Sequence, residues 1–201
     1  TAALFSAVAL VLAVILIRET VSPEQKNQAR VARGSGAWKA ALAHSQTRLL
    51  LFLMFAPPFV FAGIEVIIVL WSERAWGWGP QQNGYFYAWM GACHVALQWI
   101  VIGPIARWIG ERALITLGAA SLGAGVLLVP LASHPVVLYA AAFLMILGTS
   151  GCTASLNSLL AQYADPASRG GVLGLGRAFA GSGRIAGPAL AGVVFASIGI
   201  D

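Results

Sequence analysis

Ionisable side chains are scarce in this sequence, and the few that interrupt its apolar stretches are where chemistry is available. Glu65 is the one acid well inside such a stretch, about 16 residues from its start, or roughly 24 Å at 1.5 Å per helical residue. Arg184 stands about 14 residues into the last stretch, roughly 20 Å in on the same scale. The two depths allow a direct or water-mediated pair. A carboxylate and a guanidinium in hydrocarbon are costly and ordinarily face a cavity or a partner. Glu65 is therefore either a proton-coupling or cation-recognising carboxylate, or a rim charge that snorkels outward or neutralises Arg184. Arg184 in turn either binds an anionic group in a central cavity or locks two helices together. Arg177 lies seven residues earlier, on the same helix face to within about 20°, and is shallow enough to reach the headgroups.

Other polar groups recur at helical spacing. Tyr87, Met90, His94, Gln98 and Val101 form one stripe at three- and four-residue steps. His94 is a candidate for titration near neutral pH or for hydrogen-bonded packing, and Gln98 is a candidate cavity wall. Thr149, Thr153 and Asn157 form a second ladder that either lines a cavity or joins helices. An intramembrane enzyme would need more. Ser150, Ser155 and Ser158 are available, but His94 has no evident carboxylate orienter and no G-x-S-x-G elbow is present. Cys93 and Cys152 lack metal-like spacing, so neither a metal nor a cofactor is expected.

These residues need elements to position them. Of the 201 residues, 59% are hydrophobic and 9% charged, and the mean hydropathy is +0.81. Soluble domains carry about 25% charged residues. The apolar runs approach the roughly 20 residues that cross about 30 Å of hydrocarbon, and lipid leaves only helices that satisfy their own backbone. The expectation is an all-α membrane protein with six transmembrane helices, over 2–17, 49–71, 84–105, 113–131, 136–163 and 171–200. Pro57 and Pro58 should kink the second and Pro188 the last. The first run is short, lacks the charged start of a signal peptide, and reads as the end of a helix begun upstream.

Basic residues set the orientation. Arg18, Lys26, Arg30, Arg33, Lys39 and Arg48 lie in the first connection, Arg107 and Arg112 in the third and Arg169 in the fifth, against Arg74 alone on the other side. The positive-inside rule places the odd connections in the cytoplasm. Trp71, Trp76, Trp78 and Tyr85 then mark an outer aromatic belt, and Trp108 the inner surface. The net charge of +5 is thus topological, with no nucleic acid implied. Segment 18–48 reads as a linker between two helical bodies, either solvated or partly a basic helix on the inner leaflet.

Two motifs carry a family resemblance. The turn from Gly103 through Arg107 and Gly110 to Arg112 resembles the loop motif G-x-x-x-[DE]-R-x-G-[RK]-[RK] of the major facilitator superfamily. Arg107 takes the acidic position and Glu111 the first basic one, as in the degenerate second-half copy of tetracycline and drug exporters. The charge-relay role of the first-half motif does not carry over. Gly174, Gly183, Gly187, Pro188 and Gly192 are similar to the antiporter signature G-x8-G-x3-G-P-x2-G-G, with Ala191 the one departure. Gly183 and Gly187 lie roughly 100° round the helix from the arginines, a small face suited to close packing. The span before them holds none of the R-x-x-Q-G pattern of a first-half fourth span, and "LIRET" at 16–20 resembles the sixth-span exit of drug exporters.

The resemblance implies a fragment covering spans 6–11 of a twelve-span fold. Residues 1–17 would end the N-terminal half, 18–48 form the cytoplasmic central loop, and 49–201 build the C-terminal bundle without its last span. It also implies a secondary transporter in the bacterial inner membrane that moves a small molecule outward against protons. The missing N-terminal half of the same transporter and the lipid bilayer would be its partners. A non-transporting scaffold or receptor on the same fold, or a uniporter or importer, are the alternatives.

Overall fold

The computed structural model describes residues 2–16, 45–164 and 169–198, all in helices and short connections. The expected cytoplasmic loop over 18–48 lies almost wholly outside the described residues. Helix α1 covers Ala2–Leu16. Helix α2 runs from Ser45 to Trp76, continuing through Pro57 and Pro58. Each of these prolines withholds a donor from the carbonyl four residues earlier. Helix α3, Pro80–Ala96, begins with proline, where an amide N–H would have no helical partner. It passes into a π-helical turn over Leu97–Val101 and then α4, Ile102–Ile109, across a 46° bend.

Gly110 turns the chain with φ of 79°, a left-handed conformation that disfavours residues with a Cβ. Helix α5, Glu111–Leu128, follows and closes in a 3-10 turn over Val129–Leu131. The His134 ring accepts from the Val136 amide and caps α6, Pro135–Tyr163. Helix α7 spans Arg169–Ile198 and continues through Pro188.

Among the described residues four helices are long and apolar enough to cross a membrane: α2, α5 with its 3-10 extension, α6 and α7. The bent pair α3 and α4 together has the length and composition of a fifth, broken span. The all-α membrane architecture expected from composition therefore holds, with four to five candidate crossings among the described residues. Helix α1 is apolar over its 15 described residues.

Helix α6 is the hub. Of its apolar window 56% is buried, against 11% for α7. Leu138, Ala141, Met145 and Ile146 are enclosed with Phe86 of α3. Leu156 and Leu160 join Leu51 and Met54 of α2 nearer the other end. Lipid offers no hydrophobic reward for bringing helices together, so close backbone approach must supply the contact. On α7, a Cβ at Gly183 would sit 2.5 Å from the Phe55 carbonyl oxygen of α2, and one at Gly187 would collide with that of Phe59. The α5–α6 pair is built alike. A Cβ at Gly118 would meet the Gly148 carbonyl oxygen at 2.9 Å, and one at Gly148 would strike that of Gly118.

Part of the expected aromatic belt is interior packing. Trp71 meets Trp76 edge to face with centroids 4.8 Å apart, Trp76 meets Trp78 at a tilt with centroids 5.2 Å apart, and Trp78 continues to Phe86. Tyr85 and Trp108 are exposed, Trp108 by 92%. Trp89 packs on Tyr139, while Trp99 is exposed.

Candidate functional site: a cavity walled by four helices

A cavity of about 530 Å³ opens between α2, α3, α6 and α7. Each helix presents the same register to it. Helix α2 contributes Pro58, Phe61 and Glu65, and α3 contributes Tyr87, Met90, Gly91 and His94. Helix α6 adds Ile146, Thr149 and Thr153, and α7 adds Arg177, Ala180 and Arg184. Every set follows i, i+3, i+7, the spacing of one face over two helical turns. The volume falls in the range that encloses a drug-sized ligand, about 300–1,000 Å³.

The charged groups of the cavity come from opposite walls. Glu65 and Arg184 are close enough to feel each other's charge, and Arg184 also acts on His94. Among the described residues no ion pair within 4.0 Å joins Glu65 to Arg184. The Tyr87 hydroxyl donates to the Glu65 backbone carbonyl at 2.6 Å and ties α3 to α2 beside the carboxylate. The Thr149 hydroxyl donates to Met145 and Ile146 carbonyls of its own helix at 2.9 and 3.2 Å. Its methyl and stem, more than its polarity, therefore form that part of the wall.

The site residues expected from spacing separate into two groups. Glu65, His94 and Arg184 meet in the cavity, joined by Arg177, Tyr87, Thr149 and Thr153. Gln98 is not in that wall. It lies in the π segment that starts at Leu97, where the α-helical spacing of the stripe no longer applies. Asn157 is also outside the wall, and its amide donates to the Thr153 carbonyl at 2.7 Å. Phe61, Ile146 and Ala180 were not singled out from the sequence. Each is three or four residues from a polar group that was, so extending the stripe from Glu65, Thr149 or Arg184 would have found it.

The glycine motif divides likewise. Gly183 and Gly187 press against α2, and Gly176 does so against Met54, while nothing approaches Gly174 or Gly192 within 4 Å. At the other motif, Gly110 makes the turn and Glu111 bridges two helices. Its carboxylate accepts from Ser158 at 2.9 Å and Gln162 at 2.8 Å. Arg112 donates to the Tyr163 hydroxyl at 3.2 Å. Arg107 and Gly103 are exposed. A second crevice, about 380 Å³ between α2, α5 and α6, has walls such as Leu53, Val60 and Val126 and no ionisable group besides Cys152.

Comparison with known proteins places this architecture. The family model described as Major Facilitator Superfamily matches residues 1–188. The chain belongs to the major facilitator superfamily. A curated relative is the tetracycline resistance protein, class D, of Salmonella ordonez, 23% identical over 194 residues. That match takes in 96% of this chain and 49% of the relative, so the chain spans about half the length of the curated relative it matches. No solved structure matches significantly. As a membrane transporter family member, the chain is an integral membrane protein whose family handles small molecules.

Proposed function

We propose that this chain forms the second-half cavity wall of a proton-coupled exporter. The exporter moves a small drug-like or amphiphilic molecule outward across the bacterial inner membrane by alternating access. One observation carries the reading: four helices turn the same i, i+3, i+7 face to one cavity, and those faces bear Glu65, His94 and Arg184. Ionisable groups at membrane depth mark substrate and proton pathways. Similarity to a tetracycline resistance protein supports outward movement of a drug-like molecule.

In this reading Glu65 takes up and releases the coupling proton. Arg184 favours the charged carboxylate when no substrate is present and releases it when substrate occupies the cavity. The Tyr87 hydroxyl fixes the turn that carries Glu65. The α2–α7 pair, in backbone contact at Gly183 and Gly187, moves as a unit as the two halves rock around the site. Residues 18–48 belong to the cytoplasmic central loop, residues 1–17 end the N-terminal half, and that half of the same transporter closes the cavity from the other side.

The test uses the full-length transporter in inside-out vesicles. An imposed proton gradient, acid inside, should drive accumulation of a fluorescent amphiphile, and a protonophore should abolish it. Accumulation that ignores the gradient would overturn proton coupling, and absence of any flux would overturn the exporter reading.

A further inference from the structure

The charges and donors in the cavity wall carry information about its occupant, and we infer that it is an organic monoanion. Its acid group is held by Arg184, and its apolar body lies against Phe61, Met90 and Ile146. This inference rests on the transporter reading and names the substrate class of that site.

Every titratable or charged group facing the cavity can be counted by helix. Helix α2 brings Glu65, α3 brings Tyr87 and His94, α6 brings none, and α7 brings Arg177 and Arg184. Two guanidinium groups thus face one carboxylate, so even full compensation by Glu65 leaves one positive charge in this wall. An incoming cation would meet that excess, whereas an anion would neutralise it.

Hydrogen-bond capacity points the same way. The Tyr87 hydroxyl hydrogen is committed to the Glu65 carbonyl and that of Thr149 to its own helix. The donors remaining in this wall are the His94 ring, the Thr153 hydroxyl and, most numerous, the two guanidinium groups, each with five N–H bonds and no acceptor. A planar fork of this kind matches a carboxylate through paired hydrogen bonds. The floor between the arginines, at Ala180, is small and apolar, and Phe61, Met90 and Ile146 face it from the other three helices. A ligand with one acid group and a ring body satisfies both sets.

Spacing limits the ligand to one acid group at a time. Arg177 and Arg184 are seven residues apart, about 10 Å along the helix. A compact anion therefore bonds one guanidinium and then the other, with Arg177 the shallower station and Arg184 the deeper.

The experiment compares probes that share a body and differ in charge: 1-naphthoate, 1-naphthylmethylammonium and 1-naphthylmethanol. Equilibrium binding of each to the full-length transporter in lipid nanodiscs is measured at neutral pH, alongside probe accumulation in vesicles. Wild-type protein should bind the carboxylate at least tenfold more tightly than the ammonium, a difference read without any variant. Arg184→Gln should weaken carboxylate binding at least tenfold and Arg184→Lys less, with neutral-probe binding unchanged. Preference for the ammonium, lost in Glu65→Gln, would overturn the anion assignment while leaving the exporter reading intact if that probe accumulates with the proton gradient. Equal binding of all three probes, or none, would also overturn it, and absence of all proton-driven flux would overturn the exporter reading as well.

Discussion

The Tyr87 hydroxyl donates to the Glu65 backbone carbonyl at 2.6 Å, so the acid at membrane depth sits on a turn held by the neighbouring helix. The bond is part-buried, where it is worth more than at a wet surface. The contact ties α2 to α3 at the level where the cavity is charged.

Tyr87→Phe keeps the ring and deletes this bond. It should lower thermal stability by about 0.5–1.5 kcal/mol, the net value of one such hydrogen bond, read as a lower melting temperature in detergent. Unchanged stability together with unchanged transport would show that the bond does not position Glu65.

The glycines of the signature-like motif should respond unequally. Gly187→Ala and Gly183→Ala drive a methyl into the α2 backbone at Phe59 and Phe55. Each should cost about 1–3 kcal/mol, as overpacking does. Gly174→Ala and Gly192→Ala meet nothing within 4 Å and should stay within about 0.5 kcal/mol of wild type. Parallel melting curves of the four variants check the contrast.

Much of this was legible beforehand, for identifiable reasons. Lipid imposes helices, so composition alone led to the all-α bundle. The α7 face that packs and the face that carries Arg177 and Arg184 followed from 100° per residue. The site was legible only while that rotation held. Gln98 falls outside the cavity wall, in a π turn that leaves no mark in the periodicity. Asn157 also falls outside it, and the bond of its amide to its own helix is an option that spacing does not reveal. Glu111 stands where the resembling motif has a basic residue, and its partners Ser158 and Gln162 lie some 50 positions away, beyond local pattern.

Glu111 should therefore hold the adjoining ends of α5 and α6. Glu111→Ala removes the acceptor for both Ser158 and Gln162 and should lower the melting temperature. Glu111→Gln keeps one acceptor oxygen and should lower it less. Restoring a basic side chain with Glu111→Lys should be the most disruptive of the three, because it replaces an acceptor with a donor.

Glu65 is the most direct point of attack on proton coupling. In vesicles of the full-length transporter, substrate accumulation against its gradient is compared between wild type and Glu65→Gln, with substrate exchange at equal concentrations measured in the same preparations. The account predicts that Glu65→Gln loses proton-driven accumulation yet retains exchange, because the cavity persists while the titrating group is gone. Proton-driven accumulation at the wild-type level in Glu65→Gln would contradict it.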